Sequence, residues 1–460
     1  MNTKFKDGFI WGTATSSYQI EGAAYQDGKG ESVWDVFCQQ PGRVLFGQTG
    51  EVACDHYHRY EEDFAIMEKL GIKHYRFSFS WPRLIPNGIG KVNQAGVDFY
   101  NRMLDSMIAH GITPYATLFH WDYPYALFCK GAWLNEDSSD WFAEYTKVIA
   151  ENFGDRIKYY YTLNEPQCFI GISYFSEIKH APGILFPNRD CLTMAHNVML
   201  GHGKAVKVLR ELVPSAIIGY APTGRYYHPA TEKPEDIEAA RKASFDFHKN
   251  DWDFSTSWWS DPIILGKYPD NAEAVMGDLM PKIKAGDLET INQPLDMLAQ
   301  NIYQSTPVVA DGDGYKVVPL PDGFTKTAFD WPVTPECLYW PNKFIYERYH
   351  LPIYISENGL SSTDAVSLDG KVHDAARIDY LQKHLLQLAR AVENGVDIRG
   401  YFHWSFLDNF EWNSGYFERF GLVFVDFGGD LKRTIKDSAY YYKKVIETNG
   451  ASLEDQWGII

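Results

Sequence analysis

Eight times along this chain, a short run rich in β-branched and aromatic residues is followed by a longer segment of helical period. "GFIWGTA" precedes a helical pattern over 56–70, "HYRFSFSW" precedes 94–109, and "TPYATLFHW" precedes 138–153. "IKYYYTLNE" leads to 192–212, "AIIGYAP" to a helix starting near 234, and "MLAQNIYQS" to 335–348. "PIYISENG" is followed by 373–394, and "IRGYFHWSF" by 435–447. Alternation of this kind implies a parallel sheet, because each parallel strand is reached by a covering crossover helix. Eight units, with no glycine-rich dinucleotide loop after the first strand, predict an α/β fold closed into one (β/α)8 TIM barrel. The 460 residues exceed a minimal barrel, so some βα loops must be long: 13–55, 166–190, 250–295, 304–333 and 405–434. No low-complexity linker or repeat divides the chain, and a single domain over 1–460 is expected.

Composition narrows the partners. A formal net charge of −17 argues against nucleic acid or an anionic membrane surface, either of which calls for a basic patch. Aromatic residues make up 16% of the chain, which fits either a large core or a set of flat faces for stacking on a ligand. Cysteines at 38, 54, 129, 168, 191 and 337 form no CxxC or zinc spacing. His56 and His58 in "CDHYHRYEED" lie two apart in a helical pattern and point away from each other, so no metal site is expected. The opening "MNTKFKDGFIWGTA" holds no apolar segment of signal-peptide length, and no run approaches a membrane span. A cytoplasmic location with reduced thiols is therefore expected.

In a barrel of this type, function collects at the C-terminal ends of the strands. The fourth strand ends on Asn164-Glu165-Pro166, and the seventh on Glu357-Asn358-Gly359. Alone, Asn-Glu-Pro reads as a strand stop and Glu-Asn-Gly as turn chemistry. Together, at matching ends of alternating units, they set two carboxyls across the barrel mouth. Such a pair suits hydrolysis of a glycosidic bond, one carboxyl lending a proton to the departing oxygen and the other stabilising the oxocarbenium-like carbon. The sequence does not give their separation, which distinguishes retention from inversion.

The chain resembles the retaining β-glucosidase family of (β/α)8 enzymes, glycoside hydrolase family 1, nearly end to end. The motifs "FIWGTATSSYQIEGA", "GIKHYRFSFSWPRLIPNG", "LFHWDYPYAL", "TLNEP", "YISENG" and "WSFLDNFEWNSGYFERFGLVFVD" stand in the family's order. The resemblance implies that Glu165 is the general acid/base and Glu357 the nucleophile. It further implies that Arg76 and Tyr303 support the nucleophile, and that Asn164 binds the sugar 2-hydroxyl. Gln19, His120, Trp121, Glu411 and Trp412 match hydroxyl binders, Trp404 matches the aromatic floor under the sugar, and Phe420 belongs to the same pocket. A hexose offers several hydroxyls and one face of C–H bonds, so bidentate polar side chains beside an indole suit it. No cofactor is implied, and the partners are small β-glycosides.

The family divides between neutral and 6-phosphorylated sugars. The phospho-enzymes resemble Ser, Lys and Tyr where this chain has Glu411, Glu418 and Phe420, so a neutral glycone is expected. A carboxylate against a phosphate costs about 1 kcal/mol in water at 4 Å, and several-fold more when desolvated. Gln167 stands where many members have Trp, and it is expected to line the leaving-group end together with "FCKGAW" and "SYFSEIKHAPG". An exo-acting β-glucosidase, with galactose and fucose as further sugars, is the expected activity. Transglycosylation and a sugar-binding protein of weak catalysis are the alternatives. Assembly into a homo-oligomer is left open.

Overall fold

The computed structural model describes residues 3–455; positions 1–2 and 456–460 of the expected 1–460 domain lie outside the described residues. The predicted barrel is present. Its strands are β1 (Ile10–Ala14), β2 (His74–Ser78), β3 (Thr113–Phe119) and β4 (Tyr159–Asn164). They continue as β5 (Ile217–Ala221), β6 (Leu298–Asn301), β7 (Ile353–Asn358) and β8 (Ile398–Trp404). All ladders are parallel, and β1 pairs with both β2 and β8, joining the two ends of the chain. Between β5 and β6, where no regular ladder forms, Asp296 N–H donates to the Ile218 carbonyl (2.9 Å) and Asn301 N–H to the Pro222 carbonyl (3.0 Å). These two bonds bring the last gap together.

Two cores result. Inside the barrel, Tyr115, Tyr161, Met297, Tyr354 and Phe402 fill the space between the strands. Small residues face these large ones; a Cβ on Gly12 would lie 2.5 Å from the Phe402 ring. A larger cluster, including the fully buried Trp34, Trp81, Trp133, Trp252, Trp258 and Trp259, lies outside it. Much of the aromatic excess is therefore core.

The covering helices are α1 (His56–Lys69), α2 (Gln94–Ala109), α3 (Ser138–Phe153) and α4 (Asn188–Leu212). They are followed by α5 (Pro234–Phe245), α6 (Trp340–Tyr349), α7 (Ala375–Glu393) and α8 (Asp437–Glu447). Helix α4 begins four residues before the expected 192, because Pro187 precedes it and Asp190 sits in its first turn. The pattern over 335–348 splits into a tight turn (Pro335–Leu338) and α6, with Pro341 near the new start. On α1, His56 pairs with Asp63 (2.7 Å) and His58 with Asp55 (2.6 Å). The long connections carry structure of their own. Segment 306–311 pairs with 314–317 and with 227–229, and 423–425 pairs with 433–435. Among the described residues, no helix is long and apolar enough to cross a membrane.

Gly359, read from sequence as turn chemistry, is needed for space. A Cβ there would lie 1.8 Å from the Trp404 carbonyl oxygen, where the ends of β7 and β8 meet. Gly314, at the tip of a hairpin, has nothing nearer than 3.5 Å. Gly359→Ala is expected to cost about 3 kcal/mol or more through overpacking, against less than about 1 kcal/mol for Gly314→Ala. Urea-unfolding midpoints of the two variants check the contrast.

Candidate active site

The strand ends surround a cavity of about 660 Å³. Glu165, Glu357, Tyr303 and His120 line it, with Glu411 and the rings of Trp121, Trp404, Trp412 and Phe420. Gln19, Arg76 and Asn164 are wholly buried and stand behind these groups.

Glu357, the penultimate residue of β7, is 3% exposed. Arg76 Nη1 donates to its Oε1 at 2.6 Å, and the Tyr303 hydroxyl donates to its Oε2 at 2.7 Å. Arg76 reaches across from β2, donating also to Thr117 Oγ1 (3.0 Å) and, through Nη2, to Asn164 Oδ1 (2.5 Å). Glu165 follows β4 with a left-handed backbone, φ 46°, a conformation that costs a non-glycine residue about 1–3 kcal/mol. Its N–H is held by the Ala221 carbonyl at 2.8 Å. Oε1 accepts from Asn301 Nδ2 (2.7 Å) and Oε2 from the Cys168 thiol (3.0 Å).

Burial lifts both carboxyls above the ordinary glutamate range, but their neighbours differ. At Glu165, burial is followed by the negative charge of Glu357, and together they push it up to about 8 against the bonds from Asn301 and Cys168. At Glu357, burial is opposed by the Arg76 charge and the Tyr303 hydroxyl. The two share a site that favours one proton, and the cation beside Glu357 directs that proton to Glu165.

His120 is neutral, because burial and then the Arg76 charge depress its protonation. Its Nε2 accepts from Asn164 Nδ2 at 3.1 Å, so Nδ1 carries the hydrogen, and that buried atom has no protein partner. Trp121 (φ 77°) gives its indole N–H to the Asn164 carbonyl at 2.9 Å, leaving its ring to the cavity. Gln19 Nε2 contacts Asn409 Oδ1, the Phe410 carbonyl and Glu411 Oε2 (3.2 Å), and so aims Glu411 from behind. Burial, then Glu357, Glu418 and Glu165, raise Glu411 well above the ordinary glutamate range. Trp412 packs against Tyr18, Trp34 and Trp121.

This arrangement of two buried glutamates among cavity-lining rings accompanies a sequence match: residues 1–451 correspond to Glycosyl hydrolase family 1. The chain belongs to that family. β-Glucosidase A of Thermotoga maritima is 46% identical over 98% of this chain and 99% of its own. The solved structure of a Thermotoga maritima β-glucosidase in complex with deoxynojirimycin matches with a TM-score of 0.88 and 44% identity, covering 97% of this chain and 99% of that one. An aryl-phospho-β-D-glucosidase of Bacillus subtilis is 38% identical, with 98% of each chain covered. The protein is thus a glycoside hydrolase.

In this family 1 enzyme, one expectation from sequence is corrected. Gln167 does not line the leaving-group end; it is fully buried, with Oε1 3.4 Å from Thr223 N. The helix over Gln167–Phe175 has a widened turn, Ser176 N–H bonding the Gly171 carbonyl, and it presents Cys168 to the cavity instead. Asn301, Cys168, Phe329 and Trp331 also belong to the site and were not singled out. Asn301 ends β6, so the strand-end rule applied to "QNIYQS" would have found it. Its amide joins Glu165, Asn164 Oδ1 (3.0 Å) and Ser356 Oγ (2.6 Å). Asn301→Ala should lower the unfolding free energy by about 1–3 kcal/mol, because buried acceptors lose their donor. Chemical denaturation checks it.

Proposed function

We propose that the protein is a single-domain, cytoplasmic, retaining exo-β-glycosidase that releases non-phosphorylated glucose from small β-glycosides. The unequal setting of two glutamates on one cavity carries this reading. Galactose and fucose are expected as further sugars, and the Thermotoga maritima relatives are named β-glucosidases.

The chemistry follows from the geometry. Glu165 enters the cycle protonated and gives its proton to the glycosidic oxygen as the C–O bond breaks. Glu357, ionised beside Arg76, bonds to the anomeric carbon, and the leaving alcohol departs. Glu165, now a carboxylate, takes a proton from water, whose oxygen displaces Glu357 and returns both groups to their starting forms. Two inversions give net retention, in keeping with the family. His120 and Glu411, on the cavity wall, bind sugar hydroxyls in this reading, and Trp404 takes the C–H face.

A neutral glycone is supported by the charges. Arg419 is committed to Asp408 at 2.7 Å and does not line the cavity, and the cations that do, Lys179 and Arg225, are paired with Glu177 and Asp251, so among the described residues no unpaired cation awaits a phosphate there. Identity alone does not separate the two sugar classes, since the relatives include a phospho-glucosidase.

Three outcomes test this reading. Glu357→Gly should abolish hydrolysis and let azide restore turnover from an α-configured donor, whereas Glu165→Ala should retain activity chiefly on activated aryl glycosides; steady-state rates on both substrate types check the roles. The kcat/KM profile should be bell-shaped, falling as pH rises through about 8, where Glu165 loses its proton, and falling at low pH as Glu357 gains one. A pH–rate series on p-nitrophenyl β-glucoside checks the limbs. Finally, kcat/KM on p-nitrophenyl β-glucoside should exceed that on its 6-phosphate by at least about 100-fold, the scale of the few kcal/mol lost when a phosphate is buried without a cation to pair it. Measuring β-galactoside and β-fucoside in the same series ranks the other sugars.

A further inference from the structure

One group on the acid side of the cavity has no part in the mechanism above. Cys168 is 6% exposed, lines the cavity, and donates from its thiol to Glu165 Oε2 over 3.0 Å. The other oxygen, Oε1, is held by Asn301 Nδ2 at 2.7 Å. The two oxygens of one carboxyl therefore meet different partners. An amide N–H can only donate, so a proton on Oε1 would face another hydrogen; sulfur is a weak donor and also a weak acceptor, so a proton is tolerated on Oε2.

We infer that Cys168 is a positioning residue for the acid/base: its thiol holds the Glu165 side chain, keeps the transferable proton on Oε2, and stabilises the carboxylate once that proton has moved to the leaving oxygen. This rests on the reading of Glu165 as the acid/base. The backbone fixes the pairing, because Cys168 N–H bonds the Glu165 carbonyl at 2.9 Å and the widened helix turns Cys168, not Gln167, to the cavity. The thiol stays protonated: burial, then the Glu165 charge, hold it well above its usual range. It is a donor here, not a nucleophile. A weak donor fits the task, since a strong one would stabilise the carboxylate too far and blunt the acid. The other charged or titratable groups around Glu165 are Glu357 and Arg76 across the cavity, Tyr303, Tyr226 and Glu411. The charge of Asp253 also acts on the Cys168 thiol.

The test is a series of pH–rate profiles for the parent, Cys168→Ala and Cys168→Ser, each with phenyl and 2,4-dinitrophenyl β-glucoside. Removing a donor to the charged form raises the pH of the alkaline limb, and a stronger hydroxyl donor lowers it. The expected order is therefore Ser below parent below Ala, in steps of about half a pH unit. In Cys168→Ala, kcat/KM should fall several-fold more for the phenyl glucoside, which needs proton help, than for the dinitrophenyl glucoside, which does not. Coincident limbs, or equal losses on both substrates, overturn the inference. In a Glu165→Gln background, Cys168→Ala should add no further discrimination between the substrates; an independent loss there also overturns it. Should Glu165→Gln itself keep the parental alkaline limb, the acid role of Glu165 falls, and that failure is read from this variant alone.

Discussion

One buried cation, the guanidinium of Arg76, organises the mouth of the barrel. It is fully removed from solvent, which is tolerated only where every N–H finds an acceptor and an opposite charge stands close. Each nitrogen of its planar fork has an acceptor: Thr117 on β3, Asn164 on β4, and Glu357 with the Ser356 carbonyl on β7. A lysine could not span these directions from one position. The same contacts that satisfy the cation fix the Glu357 carboxylate, and the same charge depresses proton uptake by His120. Structural satisfaction and chemical polarity are here a single arrangement.

Around that centre the backbone is held where it would not rest by itself. Glu165, Trp121 and Trp412 all have left-handed φ values, and all three line the cavity. Strain of this kind persists only where the surroundings over-determine it. The packing of Trp412 against Tyr18, Trp34 and Trp121 supplies such surroundings on one side, and the bond from Glu165 N–H to β5 supplies them on the other. The result is a site whose rings and carboxyls are set before a ligand arrives, which lowers the ordering cost of binding.

The parts of this architecture that were legible in sequence were those written as local patterns. Alternating runs announced eight strand–helix units, and the rule that chemistry gathers at strand ends found Glu165 and Glu357. The same rule would have found Asn301, a bland amide in a run whose tyrosine drew the eye. Cys168 and Gln167 were less accessible. Which of two neighbours faces a cavity depends on the helical phase after Pro166, and a widened turn shifts that phase by an amount that residue identity does not record. Trp331 sits far into a long connection, where no periodicity ties a position to the barrel. Gly359 looked like turn chemistry because sequence shows a missing side chain but not the carbonyl that would collide with it.

The chain by itself determined the fold class, the family and the two glutamates, since these follow from periodicity and from short motifs that local chemistry preserves. Tertiary structure decided how differently the two glutamates are surrounded, which of the expected hydroxyl binders face the cavity, and which stand behind it. Those outcomes depend on burial and on charges contributed by strands far apart in sequence, and electrostatic energy in a buried site is set by distance through space.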